Sequence, residues 1–282
     1  MVATLLPLFI FVLGVSVGSF LNVVVLRFGF SETARTRSHC MHCDARIRPY
    51  DLIPVFSYLM LLASCRECGS RLTIQYPLVE ITTGVLFVLA LSHMPPFMSL
   101  LPLVAFAAFL VFLSALVALV VYDMRHTLVP LPFIYVLSLS ALIAAIAQSV
   151  FSYSFQPLFD AMIGGAALFG FFFAIVAVTR GKGMGMGDGY VAGAAGLLLG
   201  LIRGMEAVMV GIWSATLLYL CLWLFSFLAT RLGFLGKGMS ITRKTELPLV
   251  PFLAFGVILM LFTDFSPIAS VTMIVNSLWM GQ

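Results

Sequence analysis

From Leu100 to Tyr122 the chain carries no charged side chain, and seven other apolar runs of comparable character are spread along it. A helix needs roughly 20 residues to cross a hydrocarbon core of about 30 Å. In lipid the backbone of such a run must satisfy its own hydrogen bonds, which restricts it to a helix or a closed barrel. The runs near 4–26, 77–93, 99–122, 130–149, 158–178, 189–202, 206–229 and 247–263 predict an all-α polytopic membrane protein with about eight transmembrane helices. Composition agrees: 62% hydrophobic and 9% charged residues, with a mean hydropathy of +1.15, leave too little polar surface to cover a soluble globule of 282 residues. The run 189–202 is short for a crossing and rich in glycine and alanine, which suits a tightly packed or tilted helix.

The basic residues set an orientation. With the N-terminus outside, Arg27, Arg35, Arg37, Arg46, Arg48, Arg66, Arg71, Arg125, Arg180, Lys182, Arg231, Lys237, Arg243 and Lys244 fall in inner loops, and of the 15 basic residues only Arg203 remains outside. The net charge of +4 therefore reports topology and gives no reason to expect nucleic acid as a partner. Residues 1–26 lack the basic start of a cleavable signal and read as a first transmembrane helix that is retained. The rest divides into a cytoplasmic loop domain at 27–76 and a transmembrane core at 77–282.

That loop holds Cys40-Met41-His42-Cys43 and Cys65-Arg66-Glu67-Cys68, two pairs at a spacing that suits a tetrahedral four-thiolate zinc site. A loop of this size buries too little apolar area to fold well alone, so a metal crosslink with a structural role is expected. Four protein sulfurs would leave no open position for water. His42, inside the first pair, could replace a cysteine as a ligand, but the complete thiolate set makes it read as a solvated neighbour of the site; Cys221 reads as a packing residue.

Ionisable groups within membrane runs mark working sites by default. Asp123 closes the third run and Asp188 ends the stretch Gly185-Met186-Gly187-Asp188 before the sixth. Two crossings fit between them, so both return to one face. Two carboxyls that share a site suit general acid–base hydrolysis, because they cannot both ionise readily. Gly185 and Gly187 would let an extended substrate lie close to the backbone beside Asp188. Taken singly, Asp123 also reads as a helix-end carboxylate beside Arg125, and Asp188 as an N-cap. Glu80 either joins an interior proton or cofactor site or sits at a helix start favoured by the dipole; His126 reads as a surface histidine.

Taken in order, Gly18-Ser19-Phe20-Leu21-Asn22 with Arg27, the cysteine pairs enclosing Tyr50-Asp51-Leu52-Ile53-Pro54-Val55, Tyr76-Pro77-Leu78-Val79-Glu80, Asp123 with Val129-Pro130, Gly185-Met186-Gly187-Asp188 and the segment from Pro248 to Gly256 resemble the type IV prepilin peptidases. The resemblance implies a GxGD aspartic protease of the bacterial inner membrane, with Asp123 and Asp188 catalytic and Cys40, Cys43, Cys65 and Cys68 on the metal. It implies that residues 77–282 form the peptidase core, that prepilin or pseudopilin precursors are the substrates, and that S-adenosylmethionine methylates the new N-terminus. Where the family places valine and lysine after its second aspartate, this chain has Gly189-Tyr190. The competing expectations are an ion or proton transporter built on the same carboxylates, and an assembly factor whose metal loop binds partners.

Overall fold

The computed structural model describes residues 2–28, 38–40, 42–93, 99–181, 184–231 and 248–268. Arg35, Arg37, Met41, Lys182, Lys237, Arg243 and Lys244, which entered the charge and motif arguments, lie outside them. The described residues form the helices α1 Val2–Arg27, α2 Phe56–Met60, α3 Gln75–Ala90, α4 Leu100–His126, α5 Leu131–Phe151, α6 Gln156–Thr179, α7 Met186–Arg231 and α8 Val250–Phe262, with 3-10 turns at Pro49–Leu52 and Leu91–His93. Among the described residues, six helices are long and apolar enough to cross a membrane, and α8 is a shorter apolar helix. The chain is therefore an all-α membrane protein with a cysteine-bearing loop between its first two long helices.

The count of six differs from the expected eight for two physical reasons. First, α7 is two helices joined without a loop. Gly200 sits at φ 75° and ψ −176°, a conformation essentially confined to glycine. A Cβ built on Gly204 would lie 3.2 Å from the Cα of Gly196, whereas residues eight apart in an unbroken helix stand about 12 Å from each other. The chain folds back at Gly200, and the arms 186–199 and 201–231 correspond to the sixth and seventh expected runs. Second, α8 has only 13 residues, about 20 Å of helix. It matches the last expected run but falls short of a full crossing.

Contacts divide the chain into two units, Met1–Tyr122 and Asp123–Gln282. In the first, α1 packs on α3 through small residues. A Cβ on Gly14 would come within 2.8 Å of the Gly84 Cα, and one on Gly18 within 2.8 Å of the Glu80 Cα. Membrane helices lack a hydrophobic drive toward each other, so close backbone approach and hydrogen bonds supply the association.

In the second unit, α6 packs against the first arm of α7. A Cβ on Gly164 would stand 2.5 Å from the Gly200 carbonyl carbon and 2.6 Å from the Gly196 oxygen, and one on Gly165 would stand 2.7 Å from Leu197 Cγ. Gly256 of α8 lies as tightly against Ala207 of the second arm. Gly170, on the same helix as Gly164, faces open space.

Gly164→Val should therefore destabilise the second unit by about 1–3 kcal/mol or more, the range for overpacking a filled interior. The Gly170→Ala change should cost nothing. Thermal unfolding of the detergent-solubilised protein distinguishes these outcomes, and equal midpoints for the two variants would contradict the packing described.

Candidate functional site

Asp123 stands in the last turn of α4, which Thr127 ends: its N–H bonds the Asp123 carbonyl at 2.8 Å while its own φ is 51°. Left-handed residues commonly close helices in this way. The next two residues lead to Pro130, whose extended backbone begins α5. Between them, Val129 fits against Gly187, where a Cβ would meet Val129 Cγ2 at 2.6 Å. That fit brings the start of α7 to the end of α4. On the other side, α6 ends with Arg180 and Gly181 at φ 52° and 71°, and the Gly181 N–H bonds the Val176 carbonyl at 2.9 Å. The reversal delivers the chain to Gly185.

Asp188 lies in the first turn of α7, and the Gly185 N–H addresses its carboxylate. It is thus a first-turn residue reaching back to the amide that precedes the helix, not the N-cap that a reading of it alone suggested. The two carboxylates are close enough to interact electrostatically with each other. Asp123 is buried at 4% exposure, the Val250 N–H at the start of α8 addresses its carboxylate, and its Oδ2 has no hydrogen-bond partner. Helix starts carry partial positive charge. Here one supports each acid.

Gly185 and Gly187 therefore have local roles, the first through its N–H and the second through the missing side chain. Gly189 lies against Phe172, with a built Cβ 3.1 Å from its Cβ, and Tyr190 stacks on Phe169 with centroids 5.3 Å apart. The residues that stand where a basic side chain was expected thus pack against α6. The Val250 amide was not foreseen as part of the site; its signal was the Pro248–Pro251 segment that starts α8.

In the loop, the sulfurs of Cys40, Cys43, Cys65 and Cys68 all lie within 4.8 Å of one another. The Cys40 and Cys68 sulfurs are 3.9 Å apart, near the separation of about 3.8 Å that tetrahedral zinc–sulfur bonds of about 2.3 Å impose. The two halves are built alike. Cys40 N–H bonds the Ala45 carbonyl and Asp44 N–H the Cys40 carbonyl; Cys65 N–H bonds the Ser70 carbonyl and Gly69 N–H the Cys65 carbonyl, all between 2.8 and 3.0 Å. Asp44 and Gly69 both take positive φ, 54° and 70°. Each pair is thus a tight turn that points its sulfurs inward and its amides at them. The His42 and Cys43 N–H groups hold the Cys40 thiol down to about 6, so it is largely thiolate at neutral pH. The donor set fits a thiophilic ion, and exposed His42 is not among the converging donors.

The loop is tied together by Arg66, whose guanidinium bonds Asp51 at 3.0 and 2.6 Å and covers the Tyr50 ring at 5.4 Å. That hydrogen-bonded guanidinium holds the Asp51 carboxyl below its usual range. Glu80 is buried at 6% exposure; it accepts the Val55 N–H at 2.7 Å, and the Ser19 hydroxyl lies near its carboxylate. It faces the interior of the first unit, where an interior role and a helix-start role had both been open. His126 is exposed, as expected, and Cys221 is exposed where a packing role was expected.

Family models match the chain in two segments: the bacterial peptidase A24 N-terminal domain over residues 12–94 and the type IV leader peptidase family over residues 110–238. The prepilin leader peptidase/N-methyltransferase of Myxococcus xanthus is 35% identical over 221 residues, covering 74% of this chain and 63% of that protein. The type 4 prepilin-like proteins leader peptide-processing enzyme of Escherichia coli is 30% identical over 214 residues, covering 69% of this chain and 77% of its own length. The Dichelobacter nodosus prepilin leader peptidase/N-methyltransferase is 33% identical and 72% covered. No solved structure matches. A membrane enzyme class is thereby defined, and the chain belongs to the type IV leader peptidase family. The transporter expectation finds no support in these relatives.

The purified protein should carry one thiophilic metal ion per chain, and Cys65→Ser should lower the occupancy sharply, because every sulfur occupies a vertex. Elemental analysis after gel filtration measures this. Full occupancy in the Cys65→Ser protein would refute the assignment.

Proposed function

We propose that this chain is an aspartic endopeptidase that removes the leader from type IV prepilins or pseudopilins. One observation supports this reading above the rest: Asp123 and Asp188, distant in sequence, bring interacting carboxylates together beside the starts of two helices. Two carboxyls in one site hold a proton between them. The ionised partner draws a proton from water as it attacks the peptide carbon, and the protonated partner donates to the carbonyl oxygen. The Gly185 and Val250 amides address the two acids and fix their orientation, and the narrow backbone at Gly185 and Gly187 suits an extended peptide. A prepilin fits physically, because its apolar helix enters the bilayer while its basic leader stays at an anionic inner surface.

In this reading residues 1–26 form the first transmembrane helix, 27–76 the metal-bearing loop and 77–282 the peptidase core, in the bacterial inner membrane with loop and aspartates on the cytoplasmic side. The charge distribution supports that orientation. The ion is zinc, four-coordinate and structural, as a closed thiolate set favours.

The names of the relatives extend the reading to N-methylation of the new N-terminus from S-adenosylmethionine. Such a cofactor supplies an electrophilic methyl group on a cationic sulfur.

Asp123→Asn and Asp188→Asn should each abolish leader cleavage, by at least about a thousandfold, while the protein still inserts and keeps its metal. Incubation of a purified prepilin with each variant, read by mass spectrometry, tests this. Normal processing by either variant would refute the assignment.

A further inference from the structure

The first unit contains a second buried acidic group, on which the peptidase reading places no demand. Glu80 is one turn into α3, and Gly18 of α1 lies against its Cα. Four acceptor positions are available on a carboxylate; the Val55 N–H supplies one donor, and the Ser19 hydroxyl is the other donor group nearby. One turn away on both helices, Asn22 is buried at 1% exposure and donates its Nδ2 to the Tyr76 carbonyl at 3.2 Å. That bond fixes the amide orientation, because only the NH2 group can donate to a carbonyl. Asn22 Oδ1 is therefore the buried atom left without a partner. Nearby Thr83 spends its hydroxyl on the Val79 carbonyl at 2.7 Å.

The pattern is one-sided. A carboxylate with unused lone pairs and an unpaired amide oxygen are both acceptors, and a group with several N–H donors and a positive charge satisfies both. A neutral hydroxyl or a water molecule would leave the carboxylate charge unpaired. A sulfonium has no N–H to give to Asn22.

We propose that Glu80 and Asn22 form a binding site for a primary ammonium group. Resting on the function proposed above, that group is the α-ammonium of the processed prepilin. Glu80 takes one proton from it, leaving a neutral amine whose lone pair attacks the methyl carbon of a sulfonium donor. The C–N bond forms as the C–S bond breaks, and the products are a methylammonium and a thioether. Glu80 thereby orients the amine and carries its proton, and Asn22 Oδ1 accepts a second N–H. The two protease aspartates serve a different bond.

The test uses the full-length protein and a synthetic peptide with the mature pilin N-terminus, so that cleavage is not required. Binding of the free-amine peptide is compared with binding of its N-acetylated form, without any methyl donor. The wild type should prefer the free amine. In Glu80→Gln, which retains an oxygen for the Val55 N–H, the preference should fall by about tenfold to a hundredfold, the range for loss of a charge-assisted hydrogen bond. Asn22→Leu should reduce it by roughly tenfold or less and keeps the test alive if Glu80→Gln fails to fold. Prepilin cleavage and metal content should be unchanged in both variants.

A wild type that does not discriminate, or variants that discriminate as well as it does, would overturn the site. A wild type that prefers the amine and loses the preference in Glu80→Gln, yet transfers no methyl group, would uphold the site and sink only the methyltransferase reading. Failure of the peptidase reading would show separately, in unprocessed prepilin.

Discussion

The second unit brings the carboxylates of Asp123 and Asp188 near enough to interact, and that pairing constrains what must surround them. With one of them buried and the other half-buried, two carboxylates repel each other unless a proton or a dipole intervenes. The fold supplies dipoles on both sides, with the Gly185 amide directed at Asp188 and the Val250 amide at Asp123. Both amides lie at helix starts, where N–H groups have no partner within the helix. A helix beginning there needs an acceptor, and an acid buried there needs a donor. The same arrangement satisfies both, and it leaves Asp123 Oδ2 as a buried atom with no hydrogen-bond partner.

Short helices and glycines make that convergence possible. The arm 186–199 spans about 21 Å and α8 about 20 Å, each less than a hydrocarbon core. Irregular backbone at their ends can be tolerated at membrane depth only where protein surrounds it. Gly164, Gly165, Gly196 and Gly256 provide that enclosure by letting backbones touch. Gly200 contributes differently: its backbone conformation turns one long helix into a hairpin and so places Ala207 against Gly256 in α8.

Much of this was legible from residue types. Apolar runs located the helices, because lipid leaves the backbone one main solution, and cysteine spacing anticipated the converging sulfurs. Parity of crossings brought Asp123 and Asp188 to one face. The features that escaped the sequence are backbone events. Nothing in the residue string distinguishes Gly200, which breaks a helix, from Gly204, which does not. The Val250 amide carries no side-chain signature, and Asp188 looked like an N-cap because a one-residue difference at a helix start is invisible to periodicity. Asn22 entered the sequence reading only as one residue of a motif, and its unpartnered oxygen escaped for a different reason. Its importance lies in what it lacks, and a missing partner can be seen only when the neighbours are placed.

Val55 connects the cysteine-bearing loop to the buried acid of the first unit. It adopts φ 60° and ψ −50°, a region that a β-branched residue enters at a cost of about 1–3 kcal/mol. Pro54 contributes by pressing Ile53 into an extended conformation, φ −65° and ψ 114°, so the chain cannot wind gradually into α2. The Val55 N–H then points at Glu80, and a hydrogen bond to a charged group contributes about 1.5–3 kcal/mol, enough to offset the strain. Upstream, Asp51 is clamped by Arg66 between the second pair of cysteines. The Arg66–Asp51 pair thus sits beside the second cysteine pair, and four residues further on the Val55–Glu80 bond ties the loop to α3. Loosening the turn that holds Val55 in its strained conformation would therefore take from Glu80 the backbone donor that its carboxylate accepts.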